Sequence, residues 1–578
     1  MRRRILRRTV AEGRPDGFPP SLHPVLRRAY GARGIMTSAD LDHGLERLLP
    51  VSTLGGIEPA VDLLLDTHRR GAKVLVIGDF DADGATSTAV VVRQLTRLGF
   101  ADPGFLVPDR FKFGYGLTPE IVRVAAGLAP GLIVTVDNGV ASLEGVAEAG
   151  RLGIPVLVTD HHLPGAALPA AAAIVNPNLP GESFGSKALA GVGVAFYLMA
   201  ALTRRMRDTG LVPAGRDVNP ADLLDLVALG TVADVVPLDA NNRILVAQGL
   251  RRIRAGRCVP GLRALLEIAG RRLEGVVAQD LGFQAGPRLN AAGRLEDMTL
   301  GIDCLLSTDA GEARELAGRL SQLNADRRQL ETRMQDEALV QVDALVATLE
   351  GALPPGVCLF DAGWHQGVIG LVASRVKERL HRPVIAFAPG EPGWVKGSAR
   401  SVPGLHVRDV LDAVATSHPG LLEKFGGHAM AAGMTLREER LDDFQRAFAE
   451  EVGRCIDADT LSGDLHTDGP LEPGELNLDT ALAIREGGPW GAGFPEPSFD
   501  GTFGVVSSRV VGDRHLKLSV AAPSGEVTDA IAFRYLDAPA AAPIRAQDRV
   551  QMVFRTDVNE YAGSRRLQLV AEWLVPVP

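Results

Sequence analysis

The sequence predicts an α/β protein in which a parallel-sheet domain is joined by a long helix to a second α/β domain, followed by a C-terminal β-barrel. Three observations carry this expectation. Short apolar runs alternate with helical stretches from about residue 72 onward. A charged, proline-free segment covers residues 311–350. Beyond about Leu461, runs that alternate apolar and polar residues are separated by turn signals. The chain has 578 residues, enough for three or four domains at roughly 150 residues each. The expected boundaries are an N-terminal segment at 1–50, the parallel-sheet domain at 51–310, the helix at 311–350, the second domain at 351–458 and the barrel at 459–578.

In the first domain, residues 73–77, 132–136, 155–159 and 172–175 read as buried strands, with helices at 86–98 and 143–152 between them. Strand and helix in alternation argue for a parallel sheet wrapped by helices. The segment 311–350 repeats apolar positions at Leu316, Leu320, Leu323, Leu330 and Met334, the spacing of an amphipathic helix. About 40 residues of helix would run about 60 Å, so it reads as a connector; two shorter helices with a break are the alternative. The second domain carries strands at 356–360 and 383–388 around a helix at 367–380, and the last region carries strands at 516–521, 529–535, 549–556 and 566–573. That final set suggests an antiparallel barrel or small sandwich.

Composition narrows the class. Hydrophobic residues make up 46% and charged residues 23%, with a net charge of -9, an ordinary balance for a globular chain. A negative average neither favours nor excludes nucleic acid, because binding needs only a local basic surface. Four cysteines at 258, 304, 358 and 455 form no CxxC, so neither a zinc ribbon nor a disulfide framework is indicated, and a reducing, cytoplasmic setting fits best. The longest apolar run, residues 188–202, has 15 residues, short for a membrane span and right for a buried helix. No GxxxxGK[ST] loop occurs, so ATP-driven chemistry of that type is not indicated.

Chemistry concentrates at strand ends. The first strand runs into Asp79-Phe80-Asp81-Ala82-Asp83-Gly84, the second into Asp137-Asn138-Gly139 and the third into Asp160-His161-His162. The carboxyl ends of parallel strands form the crevice where ligands bind, so residues distant in sequence should meet there. Clustered carboxylates repel one another unless a cation compensates. Carboxylates with imidazoles and no thiolate lean toward Mn²⁺ or Mg²⁺. The alternative for Asp79 to Gly84 alone is a calcium loop, but its twelfth position is Val90 where that loop needs a glutamate.

These three motifs resemble the first three of the DHH phosphoesterases, and Gly230-Thr231-Val232-Ala233-Asp234-Val235-Val236-Pro237-Leu238 resembles the fourth. Pro287-Arg288-Leu289-Asn290-Ala291-Ala292-Gly293-Arg294 is similar to a segment of the RecJ exonucleases, a branch of that superfamily. Phe425-Gly426-Gly427-His428 looks like the signature of the DHH-associated domain, with Gly397-Ser398-Ala399-Arg400-Ser401 before it. The resemblance runs from about residue 50 to the C-terminus, and it identifies the terminal β region with an OB-fold. It implies that Asp81, Asp83, Asp137, His161 and Asp234 hold a pair of divalent ions, Mn²⁺ or Mg²⁺, with Asp79 as a further ligand or neighbour. Asp83, Asp137, His161 and His162 would then be the catalytic set, with His162 on the scissile phosphate. Substrate contacts are expected from Arg110, Tyr115, Arg288, Asn290, Arg294, Ser398, Arg400, Gly426, Gly427 and His428. On the barrel, Phe533, Arg534, Tyr535, Arg555, Tyr561, Arg565 and Arg566 are candidate contacts.

The implied activity is 5′-to-3′ exonuclease action on single-stranded DNA, releasing 5′-mononucleotides in repair and recombination. Implied partners are single-stranded DNA, a single-stranded DNA-binding protein and a recombination helicase, with a monomeric protein and no membrane. The alternatives within the superfamily are an enzyme for very short oligoribonucleotides or cyclic dinucleotides, a pyrophosphatase, and a non-catalytic scaffold. The first is disfavoured by the β region after residue 461, the last by the presence of every expected acid and histidine.

Overall fold

The computed structural model describes residues 3–9, 17–108, 116–212, 215, 217–348, 354–427, 429–456, 464–512, 514–537, 543–561 and 564–577. The chain forms two compact units, one of residues 10–324 with 477–497, the other of residues 1–9, 325–476 and 498–578.

The strands in chain order are β1 (Ile5–Arg7), β2 (Val74–Ile77), β3 (Gly104–Leu106), β4 (Leu132–Val136), β5 (Val156–Thr159), β6 (Ala173–Val175), β7 (Val357–Phe360), β8 (Val384–Pro389), β9 (Trp394–Arg400), β10 (Lys424–Gly427), β11 (Ala431–Arg437), β12 (Leu465–Thr467), β13 (Phe499–Val511), β14 (His515–Ala521), β15 (Val527–Ala532), β16 (Arg549–Tyr561) and β17 (Ser564–Val577). In the first unit β3-β2-β4-β5-β6 form one parallel sheet. Every residue of β2, β4 and β5 is buried, as expected for strands covered on both faces, and this is why they read as continuous apolar runs. The edge strand β3 is not anticipated by the sequence, since three half-buried residues that include Gly104 carry no periodicity.

The apolar run at 188–202 becomes the buried helix Gly191–Asp208. Among the described residues no single helix is long and apolar enough to cross a membrane. In the same unit, helix Pro24–Gly31 places Tyr30 against Trp490 and Phe494, with ring centroids 5.7 and 6.4 Å away, and its hydroxyl donates to the Gly487 carbonyl at 2.6 Å.

Helix Ala310–Thr348 is continuous over 39 residues. Its buried stripe mixes Leu320, Met334, Ala338 and Val342 with the polar Asn324, Arg327, Glu331 and Gln335. Leu316, Leu323 and Leu330 are only half-buried, so the apolar spacing located the helix but not the whole of its packed face.

In the second unit β10-β11-β9-β8-β7 form a mixed sheet in which only β7 and β8 run parallel. β13-β14-β15-β17-β16 close into a barrel that is antiparallel, as expected, at every pair except β15 with β17, which run parallel; closure removes the free edges of a small sheet. The 13-residue β13 is missed by the sequence because Gly501, Gly504, Ser507 and Ser508 interrupt its alternation. The strand expected at 529–535 stops at Ala532, since Arg534 turns left-handed at φ 56°. β1 pairs parallel with β12, flanked by ion pairs Arg7–Asp500 at 2.7 Å and Arg8–Asp468 at 3.2 Å.

Candidate metal centre

Each strand end delivers its acids by a distinct local device. After β2, helix Ala82–Leu98 begins earlier than the sequence predicts, with Asp81 as N-cap accepting from the Gly84 amide at 2.9 Å. Asp83 therefore lies in the first helical turn, not in a loop. Its two oxygens accept from the Gly191 and Val192 amides at 2.7 and 2.9 Å. Those are the first amides of helix Gly191–Asp208, whose positive end suits a carboxylate. After β4, Asp137 turns left-handed at φ 61°. Asp234 caps the C-terminus of helix Leu224–Ala233 and is followed by Val235 at φ 63°, a conformation that costs a β-branched residue of order 1–3 kcal/mol. Two non-glycine residues in that region, one a candidate ligand and one adjacent to another, mark a backbone shaped for the site.

After β5, the buried Asp160 accepts from the Val140, His161 and His162 amides and binds His162 Nδ1 at 2.7 Å. Beyond β6, Asn176 donates to the His162 carbonyl at 2.9 Å and Asn178 to the His161 carbonyl at 2.6 Å. Asn138 is buried and donates to the Ile77 and Val136 carbonyls, tying the ends of β2 and β4 together. Sequence reasoning assigned no role to Asp160, Asn138, Asn176 or Asn178. The available signal was the Asn-Pro-Asn at the end of the fourth strand.

The side chains converge. His161 Nε2 lies 3.1 Å from Asp137 Oδ1 and 3.6 Å from Asp234 Oδ2. Three groups of donors lie within 4.8 Å of one another: Asp137, His161 and His162; Asp83, His161 and Asp234; Asp79, Asp81 and Asp137. Asp137 and His161 each belong to two of them. All six carboxylates and imidazoles expected as ligands are in these groups, and His162 joins them. Asp160 holds His162 Nδ1, and a ring nitrogen of His162 lies within 4.8 Å of ligand atoms of Asp137 and His161.

Burial, then the neighbouring Asp81, pushes the Asp83 carboxyl up to about 7 against the pull of the two helix amides. Burial and the charges of Asp83 and Asp81 hold both Asp137 and Asp234 well above the usual carboxylate range. Burial disfavours the His162 cation, but the bond to Asp160 and its charge outweigh it, so that pKa rises while that of Asp160 falls. Space is reserved as well: a Cβ on Gly191 would lie 2.6 Å from the Asp137 Cβ and 2.7 Å from its Oδ1. Mutually repelling hard donors in such a space fit a pair of divalent cations.

A pH dependence follows. A carboxyl whose folded pKa is raised contributes most below its unfolded value and loses that contribution as pH rises through the folded one. For Asp83 the loss runs from about 4 to about 7. A bound cation offsets that loss, because it takes the ionised form. The thermal shift between Mn²⁺-loaded and chelated protein should therefore grow from pH 5.5 to pH 8; a constant or shrinking shift contradicts it.

Arg288, Asn290 and Arg294 lie on helix Gly286–Leu295. Arg288 donates to the Gln284 carbonyl at 2.7 Å, and Asn290 Oδ1 accepts the Ala82 amide at 2.7 Å. Asn290 is thus fastened to the acidic segment itself. In the other unit Ser398 and Arg400 lie on β9, and Arg400 Nη1 donates to Ser398 Oγ at 3.0 Å. Gly426 and Gly427 lie on β10, with Gly426 and Ser398 both opposite Gly433 of the intervening β11. Arg110, Tyr115 and His428 fall outside the described residues, as does the Tyr561 side chain. On the barrel Phe533 is exposed, while Arg555 and Arg565 pair with Glu572 at 2.7 Å and Glu560 at 3.2 Å.

A parallel sheet with aspartates and histidines gathered at its carboxyl edge defines a metal-binding phosphoesterase of the DHH class. Residues 73–231 match the DHH family N-terminal domain, residues 343–454 the DHHA1 domain and residues 467–572 the RecJ OB domain. The chain belongs to the RecJ family. It is 50% identical over 575 residues to the single-stranded-DNA-specific exonuclease RecJ of Escherichia coli, covering 99% of both chains. It is 52% identical to that of Dickeya dadantii, again over 99% of each. The crystal structure of RecJ in complex with Mn²⁺ from Thermus thermophilus superposes with a TM-score of 0.78 at 33% identity, covering 96% of this chain and 76% of that one. The same protein in complex with Mg²⁺ gives a TM-score of 0.73 at 31% identity, over 96% and 75%.

Proposed function

We propose that the protein is a metal-dependent exonuclease that digests single-stranded DNA from the 5′ end and releases 5′-mononucleotides in DNA repair and recombination. One observation carries this reading: the carboxylate and imidazole set is complete in a chain 50% identical, end to end, to an exonuclease specific for single-stranded DNA. Bound as a pair, Mn²⁺ or Mg²⁺ supplies hydroxide at neutral pH and neutralises charge on the attacking and leaving oxygens.

The chain's own residues supply the rest. Asp79, Asp81, Asp83, Asp137, His161 and Asp234 hold the ions. His162, oriented by Asp160, presents Nε2 to the scissile phosphate. Arg288 and Arg294 line the path of the strand. Arg400 grips phosphate with Ser398, Gly426 and Gly427, where backbone amides can approach closely. Arg110, Tyr115 and His428 complete the substrate contacts. A single-stranded DNA-binding protein and a recombination helicase are the proposed protein partners, and the active form is a cytoplasmic monomer.

The test is digestion of single-stranded DNA labelled at either end, with Mn²⁺. Release of label as mononucleotide from the 5′ end is expected. Digestion confined to very short oligomers transfers the assignment to an oligonucleotide or cyclic-dinucleotide phosphodiesterase.

Asn290 gives a finer test. Loss of its bond to Ala82 should cost about 1 kcal/mol at the start of helix Ala82–Leu98. Asn290→Ala is expected to weaken Mn²⁺ binding by calorimetry several-fold, and Asn290→Asp, which keeps an acceptor for the Ala82 amide, less so. Equal affinities in the two variants would remove the hydrogen bond from the account.

A further inference from the structure

A cavity of about 200 Å³ lies within the unit that carries the metal centre, and none of its lining residues belongs to the acidic cluster. Its walls come from four parts of the chain: His43, Arg251 and Arg254 of helix Ala240–Arg254, the segment around Gln279, and Arg485 and Glu486 from the 477–497 segment. Three guanidinium groups and an imidazole thus face one lining carboxylate.

The arginines are prearranged. Arg254 Nε donates to the Val276 carbonyl at 2.8 Å, and Arg485 Nη2 to the adjacent Gly275 carbonyl at 3.0 Å. These bonds fix two planar forks side by side, although they repel each other. Burial, followed by the charge of Arg485, lowers the Arg254 pKa. The Arg251 side chain is exposed, and among the described residues it makes no hydrogen bond or ion pair. The His43 Nε2 is sealed from solvent with no hydrogen-bond partner. Burial, then Arg243 and Arg251, hold that imidazole down at about 4, so it stays neutral.

Cations gathered in a half-enclosed space cost free energy unless an anion neutralises them. Guanidinium forks match the oxygens of phosphate, and charge-assisted bonds of this kind are the strong ones. The volume is below the roughly 300 Å³ at which drug-sized pockets begin and holds a handful of waters at about 30 Å³ each. That is the scale of one phosphate group with its nearest substituent. We infer that this cavity is a second anion site, separate from the metal centre, which binds a dianionic phosphate group through Arg251, Arg254 and Arg485. Such a group could arrive as free phosphate or as the phosphate of a mononucleotide.

The experiment is calorimetric titration of the full chain in chelator, where the metal centre is itself anionic and repels phosphate. The probes are inorganic phosphate, deoxyadenosine monophosphate and deoxyadenosine. Phosphate and the monophosphate should bind and the nucleoside should not; tighter binding of the monophosphate identifies a nucleotide as the source, and equal binding the phosphate alone. Arg251→Gln and Arg254→Gln should each weaken binding about tenfold or more, while Asp137→Asn leaves it intact. Arg251→Gln breaks no described contact, so its result is independent of any disturbance of the fold by Arg254→Gln. Absence of binding by either phosphate probe, or undiminished binding in Arg251→Gln, overturns the inference.

Discussion

Asp137→Asn is expected to abolish hydrolysis of single-stranded DNA, by about 10³-fold or more, while the metal-free protein stays as stable as before or becomes more so. The two effects have one cause. Asp137 belongs to two of the three donor groups, so its loss removes a ligand common to both. In the absence of metal that same carboxylate is a liability, because burial and then Asp83, Asp81, Asp234 and Asp79 all oppose its ionisation. Its folded pKa is raised, so its contribution to stability is lost as pH rises. Asparagine never ionises and escapes that loss, and it tolerates the left-handed φ of 61° at this position. Turnover at saturating Mn²⁺ and melting in chelator at pH 8 check the pair of expectations. Turnover within tenfold of the parent would sink the assignment of Asp137 as a shared ligand, and a lower melting point in chelator would sink the electrostatic account.

Gly293→Ala is the second large effect, and its sign depends on magnitudes. Alanine in a helix interior is favoured over glycine by about 1 kcal/mol. Against that, a Cβ at Gly293 would meet the Phe80 carbonyl oxygen at 1.8 Å. The obstacle is backbone rather than the end of a flexible side chain, so helix and loop must separate by more than an ångström. Overpacking of this kind costs about 1–3 kcal/mol. Phe80 sits between Asp79 and Asp81, and a displacement of about 1 Å at a reacting centre can cost about 10² in rate. Gly293→Ala should therefore lower Mn²⁺ affinity and reduce turnover by about that factor. Gly318→Ala, on the exposed face of the long helix with nothing within 4 Å, should be neutral or slightly stabilising. Wild-type metal affinity in Gly293→Ala would show that the helix can withdraw without moving the acidic segment.

Much of the fold was legible because local patterns coincide with burial. Val74–Ile77, Leu132–Val136 and Val156–Thr159 are buried at every position and apolar at all but Thr135 and Thr159, since helices cover both faces of their sheet. β3 and β13 were not legible: one is a three-residue edge, and the other carries glycines and serines across its middle. Their strand character comes from pairing with β2 and with β14 and β16, and pairing is not written in either segment.

The same division runs through the site. Asp79, Asp81, Asp83, Asp137, His161 and His162 were legible from sequence because side chains placed where parallel strands end have a single crevice to enter, whereas Asp234, at the end of a helix, was named only through the family resemblance. Nothing local announced that Asp83 would be clamped by Gly191 and Val192, more than a hundred residues on, or that Asn290 would secure Ala82 from 208 residues away. What the sequence by itself determined was the chemical identity of the donors and the elements that carry them. Only the tertiary structure decided their orientation, because backbone amides and carbonyls do the orienting, and every residue has those regardless of its side chain.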